Sequence, residues 1–180
     1  MSLSSFIFIL FSIIVSFLYF VISEKGKKYV LLLASYFFYV SWGYEFLPVL
    51  ILTTIATYCL ALAIDYSINA NTKDSFLPKL LLIISIFLTI GELFFFKYIN
   101  FGILLLNNIL RFFGSVKILP SQSIIAPIGI SFFTLQSLGY IIDVYRGRSA
   151  EKNIINYALF LSWFPQILSG PISSVRDQEK

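Results

Sequence analysis

Long apolar runs alternate with short polar segments along the first hundred residues. Four runs stand out, namely Leu3–Ile22, Tyr29–Trp42, Phe46–Ile64 and Leu77–Phe96. Polar segments follow each of them, SEKGKK, GYE, DYSINANTKDS and KYIN in that order. The runs are close to the length of a bilayer crossing, although the second is short. Because backbone groups in lipid must be hydrogen-bonded within the protein, the pattern predicts helices.

The second half of the chain is apolar but less regular. Phe101–Phe113 contains two asparagines and an arginine and is too short to cross a bilayer, which favours an in-plane or re-entrant helix. Ile124–Tyr145 and Asn153–Leu168 form a fifth and a sixth block.

Both of the last blocks carry helix breakers. Pro127 and Gly129 are expected to break or kink the start of the fifth block. The stretch FLSWFPQILSGPI contains Pro165, Gly170 and Pro171. Irregular backbone at membrane depth is tolerated only where it is buried in protein or lines a cavity.

We therefore expect a helix over Asn153–Trp163 and a reversal over Phe164–Pro171. The side chain of Gln166 would then bond backbone groups that the break leaves unpaired. The alternative is a kinked but continuous span, since proline kinks are tolerated in membrane helices.

Composition agrees with the pattern. The 180 residues are 58% hydrophobic and 12% charged, with a mean hydropathy of +0.88. Soluble domains carry about a quarter charged residues. The predicted fold class is all-α, a polytopic helical membrane protein with a re-entrant or broken segment near the C-terminus and the lipid bilayer as its surroundings.

Charge placement predicts an orientation. The net charge of +4 is not matched by any nucleic-acid-binding module, so no nucleic-acid partner is expected. Three lysines lie in Ser23–Lys28, and two arginines and a lysine lie in Arg146–Lys152. The positive-inside rule places both segments in the cytoplasm and the N-terminus outside. Basic residues within Lys97–Ser123, on the predicted outer side, conflict with this assignment. We expect the first run to be a retained anchor.

Few residues can carry chemistry. The chain has no histidine, which excludes an imidazole base. Cys59 is the only cysteine, so neither an internal disulfide nor a zinc site is possible, and we expect a small buried residue. Glu92 is either a cavity-lining acid or a helix-end charge that reaches lipid headgroups.

The fifth block holds further polar candidates. Asp143 and Arg146 are three apart and share a helix face, which predicts an ion pair at a cytoplasmic helix end. Tyr140 lies beside them, and Gln136, further up the helix, would make a packing hydrogen bond. Small residues at Thr53, Thr57 and Ala61 allow close helix approach, although ordinary span composition explains them equally well. The residues alone leave open a transporter, a channel and an intramembrane enzyme.

Three stretches resemble a known family. They are ASYFFYVSWGYEFLPVLIL, IAPIGISFFTLQSLGYIIDVYRG and NYALFLSWFPQILSGPI. Together they resemble the membrane-bound O-acyltransferase family. The similar branch contains bacterial alginate O-acetylation proteins, peptidoglycan O-acetyltransferases and the D-alanyl transfer protein of teichoic acid synthesis. The resemblance extends over essentially the whole chain.

The resemblance implies an activity, a location and a structural site. It implies transfer of an acyl group, often acetyl, from a cytoplasmic acyl-thioester donor to a hydroxyl of an exported polymer or partner protein. It implies no bound cofactor or metal, a bacterial cytoplasmic membrane and a tunnel across it. The residues expected to line the tunnel or support it are Glu92, Pro127, Gly129, Gln136, Tyr140, Asp143, Arg146, Pro165, Gln166, Gly170 and Pro171.

The chain departs from the family in one respect. The family's nearly invariant histidine lies beyond the P-Q-x-x-x-G-P-I segment, and this sequence contains no histidine. We therefore interpret residues 1–180 as the N-terminal part of the transmembrane domain, inactive alone. A truncated frame, a degenerate gene or a split protein with a separately encoded C-terminal half would explain this. The alternative functions are an accessory or scaffold subunit and a small helical transporter.

Overall fold

The structure is a computed structural model that describes residues 6–72, 76–112, 126–127 and 129–163. Every regular element within these ranges is helical, which confirms the all-α prediction for them. The predictions made for Pro165, Gln166, Gly170 and Pro171 lie outside the described residues.

Six α-helices make up the described fold. Their bounds are Phe6–Val21 (α1), Glu24–Val40 (α2), Leu47–Ser67 (α3), Phe76–Phe112 (α4), Ile130–Tyr145 (α5) and Ile154–Ser162 (α6). A 3-10 turn at Tyr44–Phe46 leads into α3, and a π-helical turn at Ile68–Thr72 follows it.

The helix α4 corrects one sequence prediction. We expected a break at KYIN and a separate in-plane helix over Phe101–Phe113, but α4 runs unbroken for 37 residues. The polar segment contains no proline, and Lys97 and Asn100 are compatible with a helix. At about 1.5 Å per residue, α4 is longer than the roughly 30 Å hydrocarbon core of a bilayer.

The helix α3 lies at the centre of the packing. It contacts α4, α5 and α6, while α1 packs against α2. One core cluster joins α3, α5 and α6 around Ile64, Tyr140 and Tyr157. A second, around Tyr39 and Leu50, joins α2 to α3, α5 and α6. The candidate polar residues described below lie in or beside these two clusters.

Small side chains on one face of α3 suit its central position among the other helices. Thr53, Thr57 and Ala61 are 3%, 0% and 0% exposed. Each threonine hydroxyl lies within hydrogen-bond distance of a carbonyl oxygen one turn earlier, 2.8 Å from that of Val49 for Thr53 and 2.6 Å from that of Thr53 for Thr57. Small side chains at these positions permit close approach of neighbouring helices. The low exposure of all three residues places them together on the inner face of α3.

Two helical segments are long and apolar enough to cross a membrane, Tyr44–Ala70 and Phe76–Phe112. Only 33% and 11% of their most apolar stretches are buried within the protein. Large side chains on α4 face outward, with Phe87 81% and Phe94 64% exposed. The core helix of a soluble protein would bury these groups, so the outward faces are suited to a bilayer.

Cys59 was predicted to be buried, and this prediction is wrong. Its side chain is exposed on the outward face of α3. The buried face of α3 is the one that carries Thr53, Thr57 and Ala61, and residue 59 falls between them on the opposite side of the helical turn.

Candidate functional site

Glu92 is joined to the centre of the bundle. Its Oε1 lies 2.5 Å from Oγ1 of Thr53, a contact between α4 and α3. The side chain therefore points toward protein, in the middle of α4, and not toward a helix end. Of the two alternatives left open by the sequence, the contact favours the inward-facing acid.

The Thr53 hydroxyl has a single proton but lies close to two oxygen atoms. Its Oγ1 lies 2.5 Å from Glu92 Oε1 and 2.8 Å from the carbonyl oxygen of Val49. A hydroxyl group has one O–H donor and two acceptor lone pairs. When Thr53 donates to Val49, a protonated Glu92 donates to Thr53, and when Thr53 donates to Glu92, the carboxylate accepts. The bond links α3 and α4 in either case.

Tyr39 of α2 completes this group of polar residues. Its side chain is 4% exposed and packs in the second core cluster, against which Leu93 of α4 also packs. Among the described residues, its hydroxyl is buried without a hydrogen-bond partner. It lies within electrostatic reach of Glu92. We call Tyr39, Thr53 and Glu92 the polar junction.

A second group contains Tyr58, Tyr140 and Tyr157, which we call the tyrosine cluster. The rings of Tyr140 and Tyr157 have centroids 4.9 Å apart, and those of Tyr58 and Tyr157 are 5.7 Å apart. The Tyr157 hydroxyl donates to Thr57 Oγ1 at 2.8 Å, entirely within the protein. The cluster thus joins α3, α5 and α6 through both ring packing and a buried hydrogen bond.

The other two hydroxyls of the tyrosine cluster hold the loop before α6. Tyr58 donates to the carbonyl of Lys152 at 2.7 Å. Tyr140 accepts from the backbone N–H of Glu151, also at 2.7 Å. Asn153 then caps α6, because its side-chain oxygen accepts from the N–H of Ile155 at 2.9 Å. The loop's path is therefore fixed by side chains of α3 and α5.

Gln136 has the packing hydrogen bond predicted from sequence. Its Nε2 donates to the carbonyl oxygen of Phe160 at 3.0 Å. Phe160 lies in the last turn of α6, where carbonyls have no further helical N–H donor. Gln136 therefore helps to close α6, which ends at Ser162 close to the predicted limit of Trp163.

The predicted break before α5 is confirmed. Gly129 has φ 74° and ψ 5°, in the left-handed region that favours glycine. Pro127 is buried, and its carbonyl accepts from the N–H of Ile130 at 3.2 Å. The two residues together start α5 with a tight turn.

Asp143 has a different partner from the one predicted. Its carboxylate lies 3.9 Å from Nη1 of Arg148, whereas Arg146 caps the C-terminal end of α5. Gly147 has φ 106° and turns the chain, so that Arg148 folds back over the end of the helix. Both partners are partly exposed, so this pair contributes little to stability.

The hydrogen bonds from Thr53 to Glu92 and from Tyr157 to Thr57 link neighbouring helices to one another. Within the described ranges, no group of three His, Cys, Asp or Glu residues is placed to bind a metal ion. Sequence reasoning identified Glu92 and Gln136 but not their partners, and it missed Tyr39, Tyr58 and Tyr157. A tyrosine within an apolar run usually finds a hydrogen-bond partner when buried, which was the available signal.

Fold and site together describe a helical bundle with outward apolar faces and polar contacts between its inner faces. The chain is 37% identical, over 161 residues, to the probable alginate O-acetylase AlgI of Pseudomonas aeruginosa, covering 89% of this chain and 30% of that protein. The corresponding protein of Azotobacter vinelandii is 35% identical over 161 residues, covering 89% of this chain and 31% of its own length.

A relative named for a different polymer shows a similar degree of identity. The peptidoglycan O-acetyltransferase of Helicobacter pylori is 32% identical over 184 aligned residues, covering 86% of this chain and 33% of that protein. The predicted resemblance to the bacterial alginate and peptidoglycan O-acetyltransferase branch of the membrane-bound O-acyltransferase family is confirmed. The chain spans about a third of the length of the curated relatives it matches.

No family model matches the chain. No solved structure matches it.

Proposed function

We propose that the chain forms part of a bacterial membrane O-acyltransferase. The complete protein would transfer an acyl group, often acetyl, from a cytoplasmic thioester to hydroxyls of an exported polysaccharide or cell-wall polymer. The observation that carries this proposal is the identity of 31% to 37% with O-acetyltransferases over nearly nine tenths of the chain. The polymers named for those relatives are alginate and peptidoglycan.

Within that protein, these residues would serve as framework. The polar junction and the tyrosine cluster join five of the six helices through contacts that hold geometry. The sequence has no histidine to act as the acid–base group that the family resemblance implies. The chain alone is therefore inactive in our proposal, and the reacting groups are supplied by a C-terminal half. An extracytoplasmic protein would receive the acyl group or pass it on.

The proposed arrangement is polytopic in the cytoplasmic membrane. The lysines of Ser23–Lys28 and the basic residues of Arg146–Lys152 would face the cytoplasm, which places the N-terminus outside.

An exchange of segments tests the proposal. The matching segment of the Pseudomonas aeruginosa relative is replaced by this chain, and the chimera is produced in a strain that lacks the relative. We expect acetyl groups on the secreted alginate, because the framework should support the catalytic residues in the remaining two thirds. The matched control replaces the same segment with an unrelated helical membrane segment of equal length.

The chimera must be present in the membrane at the level of the native relative for the result to count. Alginate without acetyl groups, from a chimera that is inserted and abundant, would contradict the proposed role as framework. Acetylation by the control segment would contradict it as well, because the sequence of the segment would then be irrelevant.

A further inference from the structure

We propose that the polar junction binds one water molecule between Tyr39 and Glu92. The site lies where α2, α3 and α4 meet. It does not depend on the proposed acyl transfer, because it follows from the hydrogen-bonding requirements of three side chains.

The hydroxyl of Tyr39 needs a partner that the described residues do not supply. The residue is 4% exposed, and its Oη is buried without a hydrogen bond within the described part of the chain. Leu50, Phe133 and Leu161 pack in the same cluster and fix the ring. Since the ring cannot turn toward solvent without disrupting this packing, the hydroxyl would be buried unsatisfied, which is unfavourable.

Glu92 is an acidic group that interacts electrostatically with this hydroxyl. A carboxyl group has two oxygens, and Thr53 contacts Oε1. Tyr39 lies within electrostatic reach of Glu92, but the two groups form no direct hydrogen bond. Leu93, the next residue of α4, packs against the cluster that contains Tyr39. Tyr39 and Glu92 therefore interact electrostatically and lie on or beside the same cluster, and no direct hydrogen bond joins them.

The chemistry of the two groups selects a small hydroxyl compound. A ligand between them must accept a hydrogen bond from Tyr39 and donate one to Glu92, and water does both while making about 2–4 hydrogen bonds in protein interiors. The cluster that holds the Tyr39 ring contributes the apolar side chains of Leu50 and Ile130, which favour a small ligand over a larger polyol. The Tyr39 hydroxyl is also fully covered, so an alcohol group on a polymer would not reach it.

A double-mutant cycle in lipid nanodiscs tests the site. Tyr39→Phe and Glu92→Met are made singly and together, and the thermal unfolding midpoint is measured in phosphatidylcholine nanodiscs without glycerol. We expect Tyr39→Phe to lower the midpoint by a few degrees in the wild-type background and to have no effect beside Glu92→Met. Glu92→Gln keeps hydrogen-bonding groups at this position. In the Glu92→Gln background, Tyr39→Phe should therefore lower the midpoint by most of the amount seen in the wild-type background.

The matched control is Tyr36→Phe, on the same helix and packed against the same cluster. It should show no coupling to Glu92→Met. A second measurement uses the wild-type protein and so does not depend on whether the variants fold. Magic-angle-spinning NMR of the wild-type protein should show magnetisation transfer from water to the Tyr39 side chain.

Several results would overturn the assignment. A rise in the midpoint for Tyr39→Phe would mean that the hydroxyl is buried without any ligand. An equal loss in both backgrounds would place its partner away from Glu92. Coupling that arises only after glycerol is added would assign the site to an alcohol hydroxyl and not to water. Absence of water transfer to Tyr39 in the wild-type protein would contradict the proposal directly.

Discussion

Substituting the two partners of the hydrogen bond between Tyr157 and Thr57 should reduce stability by different amounts. Tyr157 is 1% and Thr57 is 0% exposed, and the tyrosine donates at 2.8 Å. Thr57 in turn donates to the carbonyl of Thr53 at 2.6 Å. Tyr157→Phe therefore leaves Thr57 with a partner, whereas Thr57→Val leaves the tyrosine hydroxyl buried with none.

The two substitutions should therefore lower the free energy of unfolding by different amounts. Hydrogen bonds between membrane helices are worth about 0.6 kcal/mol on average and up to about 1.7 kcal/mol. We expect Tyr157→Phe to lower the free energy of unfolding by about 0.5–1.5 kcal/mol. Thr57→Val replaces the hydroxyl with a methyl group and leaves the buried Tyr157 O–H without an acceptor, which costs about 1–3 kcal/mol. Thr57→Val should therefore be more destabilising by about 1 kcal/mol.

The assay is reversible unfolding of the purified chain in mixed micelles, followed by circular dichroism. The control is Tyr66→Phe, because Tyr66 is 79% exposed and its change should leave the unfolding free energy within experimental error. The double variant should lose less than the sum of the two single changes. Equal losses for Tyr157→Phe and Thr57→Val, or the reverse order, would refute the reasoning.

Two further predictions concern backbone conformation and orientation. Gly129→Ala should lower the unfolding free energy by about 1–2 kcal/mol, because φ is 74° there. Gly139→Ala, where an added Cβ meets no atom within 4 Å, should raise it by up to about 1 kcal/mol, and a loss at both sites would contradict this account. In a Cys59→Ser background, Lys25→Cys should be protected from an impermeant thiol reagent applied outside cells, and Tyr44→Cys should be labelled. The opposite pattern would reverse the proposed topology.

Local features of the fold could be predicted from the sequence. Gly129 lies two residues after Pro127 within an apolar run. A proline and a glycine this close together indicate a turn before a helix. Thr53, Thr57 and Ala61 recur every fourth residue, which places them on one helix face. Gln136 is a polar side chain in an apolar helix and had to find a partner inside the protein. Each of these predictions depends on one helix or one turn.

Contacts between distant residues could not be predicted in the same way. Glu92 and Thr53 are 39 residues apart, and only the packing of α3 on α4 brings them together. Asp143 bonds Arg148 because Gly147 turns the chain after α5, a change of direction that helical spacing ignores. Cys59 was assigned to the core by residue type, although the threonine face had already fixed which side of α3 is buried.

The continuity of α4 shows a further limit. A polar segment within apolar sequence was interpreted as the end of a helix, yet lysine and asparagine interrupt hydropathy without interrupting backbone hydrogen bonds. Lys97 instead lies 3.5 Å from the hydroxyl of Ser131 on α5, so its polar group is accommodated beside the neighbouring helix. Hydropathy marks the environment of a helix more reliably than it marks the helix end.

The central claim is that these residues form the framework of an acyltransferase and do not perform the chemistry themselves. The most direct test uses proteoliposomes with a labelled acyl-thioester on one side and a polysaccharide acceptor on the other. They contain either the 180-residue chain or its chimera with the remaining two thirds of the Pseudomonas aeruginosa relative. The account predicts no label on the acceptor from the chain alone and label above the protein-free level from the chimera. Labelling by the chain alone would contradict it.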